Sequence, residues 1–363
     1  MTSKERMMTA IRMGTPDRLP VTVHQWQAWH LEHTMGGISD LEAFRRFGMD
    51  AALTRYPFVY PESSQWQVSM TSRKQGNYYV DTYEAKTPKG TLTWSQGRNG
   101  YTTWEMEPML KEDEDLELLK FRPLPYYDKA QFQKAYDQLG DDGILRTFPC
   151  GSQGGCWQDA CNLYGTEELI CKTFDDPEWV HALLEVLMED RLRFIEESLR
   201  GAKVDLVENG GGAASNTVIS PAIHEEFCLP YDRRMHQAIH DCGLPVVYHT
   251  CGGMTKIADL IVQNGCDASE TLSPAGIGGD IRGPEDAAIL CRAFKGKVGM
   301  IGGMDQINLL GGGTPDQIRK EVETLFQWYG QGGGYILSAS DHFFEAPAEN
   351  LQAFTDAAKA CVY

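Results

Sequence analysis

The stretch LPVVYHTCGGMTKIADLI, residues 244–261, contains the pattern that decides the fold. Its β-branched and aromatic residues predict a short buried strand, and the Gly pair that follows leads into a helical pattern. The same strand-to-helix unit recurs from about residue 144 to the end of the chain. Six strands of this kind are predicted, in the segments GILRTFPC, VDLVENGG, LPVVYHTC, CDASETLS, KVGMIGGMD and GYILSASD.

Strands that alternate with helices of roughly 10–20 residues predict a parallel sheet. The segment before residue 144 leaves room for two more strands, so we predict an α/β fold of the (β/α)8 barrel type. An open, doubly wound sheet is the alternative. Residues 65–110 are rich in β-forming residues and contain the turn signals Pro-Lys-Gly and Gly-Arg-Asn-Gly, which predict a β-meander inserted in, or capping, the barrel. We therefore predict one barrel domain over residues 1–363.

Composition excludes several classes of protein. The chain has 363 residues, of which 42% are apolar and 23% charged, as in globular proteins. The net charge of −18 argues against a nucleic-acid partner, because phosphate recognition needs basic patches. We find neither an apolar run of roughly 18 residues, which a membrane span would need, nor the apolar core of a signal peptide. Ten cysteines without a paired framework indicate reduced thiols, and the predicted location is the cytoplasm.

Polar residues follow the predicted strands, where the active site of a (β/α)8 barrel is built. They are Cys150, Glu208, Asn209, His249, Cys251, Glu270, Asp305, Asp341 and His342. His249 and Cys251 are two residues apart at a strand end and project to the same side, so they could hold one metal ion. Each residue also has a structural interpretation. The His could be a hydrogen-bonded core residue, the Cys a small core hydrophobe, and Asp305 the cap of the next helix.

The segment HTCGG after this strand, with ISPAIHEEFCLPYDRRM one unit earlier, resembles the uroporphyrinogen decarboxylase superfamily. Downstream, GMIGGMDQINLLGGGTPDQIRKEV and GGYILSASDHFFEAPAENLQAF extend the resemblance, which covers about residues 200–358. That superfamily has a (β/α)8 barrel. It contains tetrapyrrole decarboxylases and also zinc methyltransferases that work with corrinoid proteins.

Two departures favour the methyltransferase branch. The decarboxylases have an Arg-rich segment near the N-terminus that holds substrate carboxylates, whereas this chain has no Arg between Val21 and His33. The methyltransferases use His-x-Cys and a distal Cys as zinc ligands. His249 and Cys251 match the first two positions, and Asp341 or His342 stands where the distal Cys would be.

The resemblance implies a zinc ion held by His249, Cys251 and either Asp341 or His342, since zinc accepts nitrogen, sulfur and carboxylate ligands. Glu208 is a further candidate to complete the metal site. With fewer thiolates the ion would be more Lewis acidic, which suits a methyl ether. The chain lacks the D-x-H-x-x-G cobalamin signature, so a corrinoid protein is the expected partner. The predicted catalytic residues are Glu208, Glu270 and Asp305, and the predicted cofactor-binding residues are Asn209 and Gly252.

Two other functions stay open. The chain could be a cofactor-free lyase related to the decarboxylases, in which Glu208 or His249 performs acid/base catalysis. It could also be a non-catalytic barrel that binds a ligand. The expected partners of the methyltransferase are a small methyl donor or acceptor and the corrinoid protein, with a homodimer as a further possibility.

Overall fold

A computed structural model describes residues 1–150, 153–343 and 345–363 of the chain. The described residues form fourteen strands: β1 (Val21–Thr22), β2 (Ala51–Thr54), β3 (Phe58–Val59), β4 (Gln67–Gln75), β5 (Tyr78–Thr87), β6 (Gly90–Arg98), β7 (Thr103–Glu107), β8 (Tyr126–Tyr127), β9 (Gly143–Thr147), β10 (Leu206–Gly210), β11 (Val246–His249), β12 (Ala268–Thr271), β13 (Gly299–Met304) and β14 (Tyr335–Ala339).

The same residues form thirteen α-helices: α1 (Ser3–Ile11), α2 (Ala28–His33), α3 (Asp40–Phe47), α4 (Lys129–Leu139), α5 (Cys156–Tyr164), α6 (Thr166–Asp175), α7 (Pro177–Phe194), α8 (Pro221–Ile223), α9 (Leu229–Asp241), α10 (Ala258–Gln263), α11 (Pro284–Phe294), α12 (Pro315–Tyr329) and α13 (Ala348–Ala360). Short 3-10 or π-helical turns extend or connect several of them, and one π turn joins α8 to α9.

Eight parallel strands form the central sheet, in the order β1-β14-β13-β12-β11-β10-β9-β2. Their residues are almost all buried, because helices cover the outer face and side chains fill the interior. The six strands predicted from residue 144 onward are β9 to β14, and the two further strands are β1 and β2. The predicted (β/α)8 barrel is therefore confirmed, and the open, doubly wound alternative is wrong.

Asp50 joins the first and last strands of this order. Its backbone N–H donates to the carbonyl of Val21 (2.8 Å), and its carboxylate accepts from the Val21 N–H (3.0 Å). Arg6 and Arg18 donate to the same carboxylate at 2.7 and 3.1 Å, so this buried charge is well compensated.

Strands β4 to β7 form a separate antiparallel sheet within the predicted β-rich insertion. All residues of its edge strands, β4 and β7, are exposed. At the tip of the β6–β7 hairpin, the ring of Tyr101 lies 4.3 Å from that of Trp29 in α2, the helix that follows β1. The sheet therefore reaches the end of the barrel where strands lead into helices. No helix of the described ranges is both long and apolar enough to cross a membrane.

Candidate active site

Five buried side chains meet inside the barrel, and we call them the interior cluster: His24, Arg146, Glu208, His249 and Glu270. Arg146 Nη2 donates to Glu208 Oε2 and to Glu270 Oε1, at 2.7 Å each. Nδ1 of His249 lies 3.3 Å from Glu208 Oε1 and 3.1 Å from Glu270 Oε1. Nε2 of His24 lies 3.4 and 3.3 Å from the same two oxygens. His24 follows β1 and the others lie on β9 to β12, so they can meet only on the inner face of the sheet.

Opposite charges keep this cluster ionised despite its burial. Burial alone would lower the pKa of His24, but Glu208 and Glu270 outweigh that effect and raise it to about 9. Burial also opposes ionisation of Glu270, yet Arg146 and His24 hold its pKa well below the usual range. The pKa of Glu208 is lowered too, because His24 and Arg146 outweigh burial and the repulsion by Glu270. The pKa of His249 is also raised well above its usual value, because Cys251, Glu270 and Glu208 outweigh burial. The carboxylates and the cations of the cluster therefore stabilise one another's charges inside the barrel.

Three of the four predicted metal ligands come together. One ligand atom each from His249, Cys251 and Asp341 lies within 4.8 Å of the other two. His342 belongs to a different group, with His24 and Asp341. Burial, reinforced by His24, lowers the pKa of His342 to about 4. For Asp341, His249 and His24 outweigh burial and lower the pKa, so this side chain is an ionised oxygen donor.

The residues present fit a zinc ion. Imidazole nitrogen, thiolate sulfur and carboxylate oxygen are all zinc ligands, and three protein ligands leave a position for substrate. His249 is fully buried, whereas the Asp341 side chain is 26% exposed, so the group opens towards solvent. Nε2 of His24 faces Glu208 and Glu270, whereas its Nδ1 lacks a hydrogen-bond partner among the described residues. Buried polar atoms rarely stay unpaired, which indicates that a ligand belongs beside this nitrogen.

Asn209 faces the opposite way from Glu208, as neighbouring residues of a strand must. Its Nδ2 donates to Asp232 Oδ1 (3.1 Å) and lies 2.9 Å from Nε2 of His236, and both partners are in α9. Nδ1 of His236 lies 2.9 Å from the carbonyl of Asn264. We call Asn209, Asp232 and His236 the outer cluster, because it lies between the sheet and α9. The cofactor-binding role of Asn209 stays a prediction.

Two other predicted residues have clear local roles. Asp305 caps the helical turn that follows β13, since its carboxylate accepts from the N–H groups of Ile307 (3.0 Å) and Asn308 (2.7 Å). Gly252 lies where the loops after β10 and β11 approach, and a Cβ there would come within 2.5 Å of Ser215 Oγ. The catalytic role of Asp305 and the cofactor-binding role of Gly252 stay predictions.

His24 and Arg146 belong to the interior cluster but were not among the predicted site residues. Arg146 could have been found, because a charge inside the apolar segment GILRT needs a buried partner. His24 follows a strand of only two residues, Val21–Thr22, which gives almost no alternation pattern from which to infer its direction.

Comparison with known proteins gives a family match. The sequence model of the family described as Uroporphyrinogen decarboxylase (URO-D) matches residues 128–361. A methylated-thiol--coenzyme M methyltransferase from Methanosarcina mazei is 27% identical over 233 residues, which are 63% of this chain and 56% of that protein. A uroporphyrinogen decarboxylase from Hydrogenovibrio crunogenus is 30% identical over 172 residues, or 46% of this chain and 43% of that protein. The chain thus spans about half the length of these curated relatives.

The fold is also found among solved structures. A methyltransferase from Methanosarcina mazei superposes with a TM-score of 0.68 over 98% of both chains, at 14% sequence identity. This match supports the barrel with its additional strands.

Proposed function

Because the chain belongs to the uroporphyrinogen decarboxylase family, and the family's methyltransferase branch is the one its sequence favours, we propose that it is a zinc methyltransferase. It moves a methyl group between a small substrate and a corrinoid that a partner protein carries. The observation on which this rests most is the convergence of His249, Cys251 and Asp341 at the end of the barrel.

His249, Cys251 and Asp341 would hold the zinc. Asp341 is favoured over His342 as the third ligand, because only Asp341 lies within reach of both other donors. Glu208 and Glu270 are less available, since Arg146 already binds an oxygen of each. When bound, zinc would supply a Lewis acid that polarises the heteroatom bearing the methyl group. A carboxylate in place of a second thiolate gives a harder ligand set, which favours an ether oxygen over a thiol.

The interior cluster prepares the site around these ligands. Glu270 Oε1 lies 3.1 Å from Nδ1 of His249 and accepts from that nitrogen, which orients the ring. Nε2 of His249 would then be the nitrogen left to bind a metal. Arg146 and His24 keep the two carboxylates ionised, and burial excludes water from them.

The decarboxylase alternative has less support. A substrate with several carboxylates needs cations that are free to bind it. Arg146 is a cation of the interior cluster, and Glu208 and Glu270 already neutralise it. His24 faces the same two carboxylates. The cluster therefore offers a poor clamp for an anionic substrate.

The test combines metal analysis with a methyl-transfer assay. Protein purified without chelator should contain about one zinc per chain, and it should demethylate methylcobalamin in the presence of a methyl acceptor. Cys251→Ala should lose the zinc and the activity while keeping the fold, because Cys251 follows β11 and is only partly buried. Cys171→Ala, at an exposed site in α6, is the matched control and should keep both. A chain that takes up no zinc, or full activity of Cys251→Ala, would refute the proposal.

A further inference from the structure

We propose that the cavity beneath the antiparallel sheet binds an uncharged aromatic compound. The cavity has a volume of about 960 Å³, at the upper end of the range for small-molecule sites. The interior cluster does not line it.

Aromatic rings held by other rings form the walls. Phe58 of β3 and Trp94 of β6 both line the cavity. Trp94 stacks on Tyr83 with the ring centroids 5.0 Å apart and the planes only 6° from parallel. Phe58 packs against Tyr127 at 4.8 Å. Because their neighbours fix these rings, a flat ligand would meet preformed surfaces rather than mobile side chains.

The charged side chains that line the cavity favour a neutral ligand. Arg191 binds Asp159, and its Nε donates to the carbonyl of Gly154 at 3.0 Å. Arg122 lies 3.5 Å from Asp190. Two cations thus face three carboxylates among the described lining residues, the third being that of Glu62. An anionic ligand would meet no excess positive charge. A hydroxyl or ether oxygen of a neutral ligand can instead hydrogen-bond to these polar groups without adding a charge.

The cavity lies next to the proposed metal site. Cys150, which follows β9, lines it. A little further along the same loop, the amide nitrogen of Gln153 lies 3.5 Å from Nε2 of His249. The same loop therefore lines the cavity at Cys150 and contacts the interior cluster at Gln153.

Calorimetric titration of the full chain tests the proposal with two probes that share a ring. The neutral probe, 4-methoxyphenol, should bind about tenfold or more tightly than 4-methoxybenzoate, which adds a negative charge. Val68→Trp places a ring in the cavity from a half-exposed position and should weaken binding of 4-methoxyphenol about tenfold or more. Met106→Trp adds the same ring at an exposed position of β7 that does not line the cavity, and should leave the Kd unchanged.

Ligand binding and the zinc-dependent reaction can be tested independently of each other. Cys251→Ala should still bind 4-methoxyphenol within about twofold of the unmodified chain, because Cys251 does not line the cavity. Loss of zinc-dependent activity with intact binding would overturn the proposed reaction and leave the binding site standing. The cavity inference is wrong if 4-methoxyphenol does not bind, if Val68→Trp binds it normally, or if the benzoate binds equally well.

Discussion

The two faces of β10 and β11 carry buried polar clusters in opposite charge states. On the inner face, Glu270 has a strongly lowered pKa, and His24 has one raised to about 9. On the outer face, burial raises the pKa of Asp232 to about 7 and lowers that of His236 to about 4. Acid and base are therefore charged inside the barrel, whereas outside it the base is neutral and the acid titrates near pH 7.

Two cations account for the difference. Inside the barrel Arg146 binds both carboxylates and His24 faces them, so ionisation is favourable in spite of burial. In the outer cluster, the Asp232 carboxylate accepts from the neutral amide of Asn209, and burial dominates. The same two strands thus support a charged site suited to chemistry on one face and a neutral network that attaches α9 on the other.

Of the substitutions that test this comparison, removal of the Arg146 guanidinium should change the free energy of unfolding most. Arg146→Met leaves two buried carboxylates side by side, and we expect the free energy of unfolding at pH 7 to fall by roughly 3–5 kcal/mol. Urea denaturation measures this loss. Adding Glu270→Gln should recover part of it, because the second substitution removes one of the two carboxylates that have lost Arg146 as a partner.

Arg234→Met provides the matched control. Arg234 binds both oxygens of Glu185 at 2.6 and 2.7 Å, but each side chain is 44% exposed. Its loss should cost less than about 1 kcal/mol. Equal costs for the two variants would mean that Arg146 is not what keeps the interior cluster charged.

The same comparison shows what could be predicted of the site. Glu208 and Asn209 both end the same predicted strand, and both were expected at the site. Strand alternation, which placed His249 and Cys251 on one side, also separates Glu208 from Asn209. Applied to every strand end, it would have assigned Asn209 to the helix side. Alternation alone does not tell which set of side chains in a strand points into the barrel, and β1 is too short to indicate this for His24.

The fold could be predicted more completely than the site. Six strand-helix units repeat from residue 144, and repetition together with length specifies the barrel. Long-range contacts are different, because no local pattern indicates that Arg146 reaches Glu270, 124 residues further along the chain. The choice of the proposed third metal ligand had the same difficulty, because Asp341 and His342 are adjacent in sequence and only their spatial neighbours distinguish them.

A smaller effect, which depends on pH, is expected in the outer cluster. The folded chain raises the pKa of Asp232 from 3.8 to about 7, so the folded state binds the extra proton between these values. Stability therefore falls as pH rises through this window, and the loss is complete above about pH 7. Asp232→Asn removes the titration. Relative to the unmodified chain, the variant should gain roughly 2–4 kcal/mol between pH 4.5 and pH 8.

Urea denaturation across that pH range measures the difference between the two proteins. The opposing titration of His236, which raises stability from pH 4 towards 6.5, is common to both and cancels. Asp241→Asn, at an exposed position of α9, controls for the loss of a carboxylate as such. If the difference in free energy of unfolding between Asp232→Asn and the unmodified chain did not change with pH, Asp232 would be ionised in the folded chain. The acids of the two clusters would then have the same charge state.

The smallest effect should come from Asn209, and it decides whether the two faces are separate in function. Nδ1–H of His236 donates to the carbonyl of Asn264, so Nε2 of that ring accepts from Nδ2 of Asn209. Asn209→Ala leaves this nitrogen and one Asp232 oxygen without their donor, which should cost roughly 1–3 kcal/mol in urea denaturation. Zinc content and methylcobalamin demethylation per folded chain should stay unchanged. A loss of activity in the folded variant would instead place Asn209 at the cofactor, and the outer face would then contribute to the reaction.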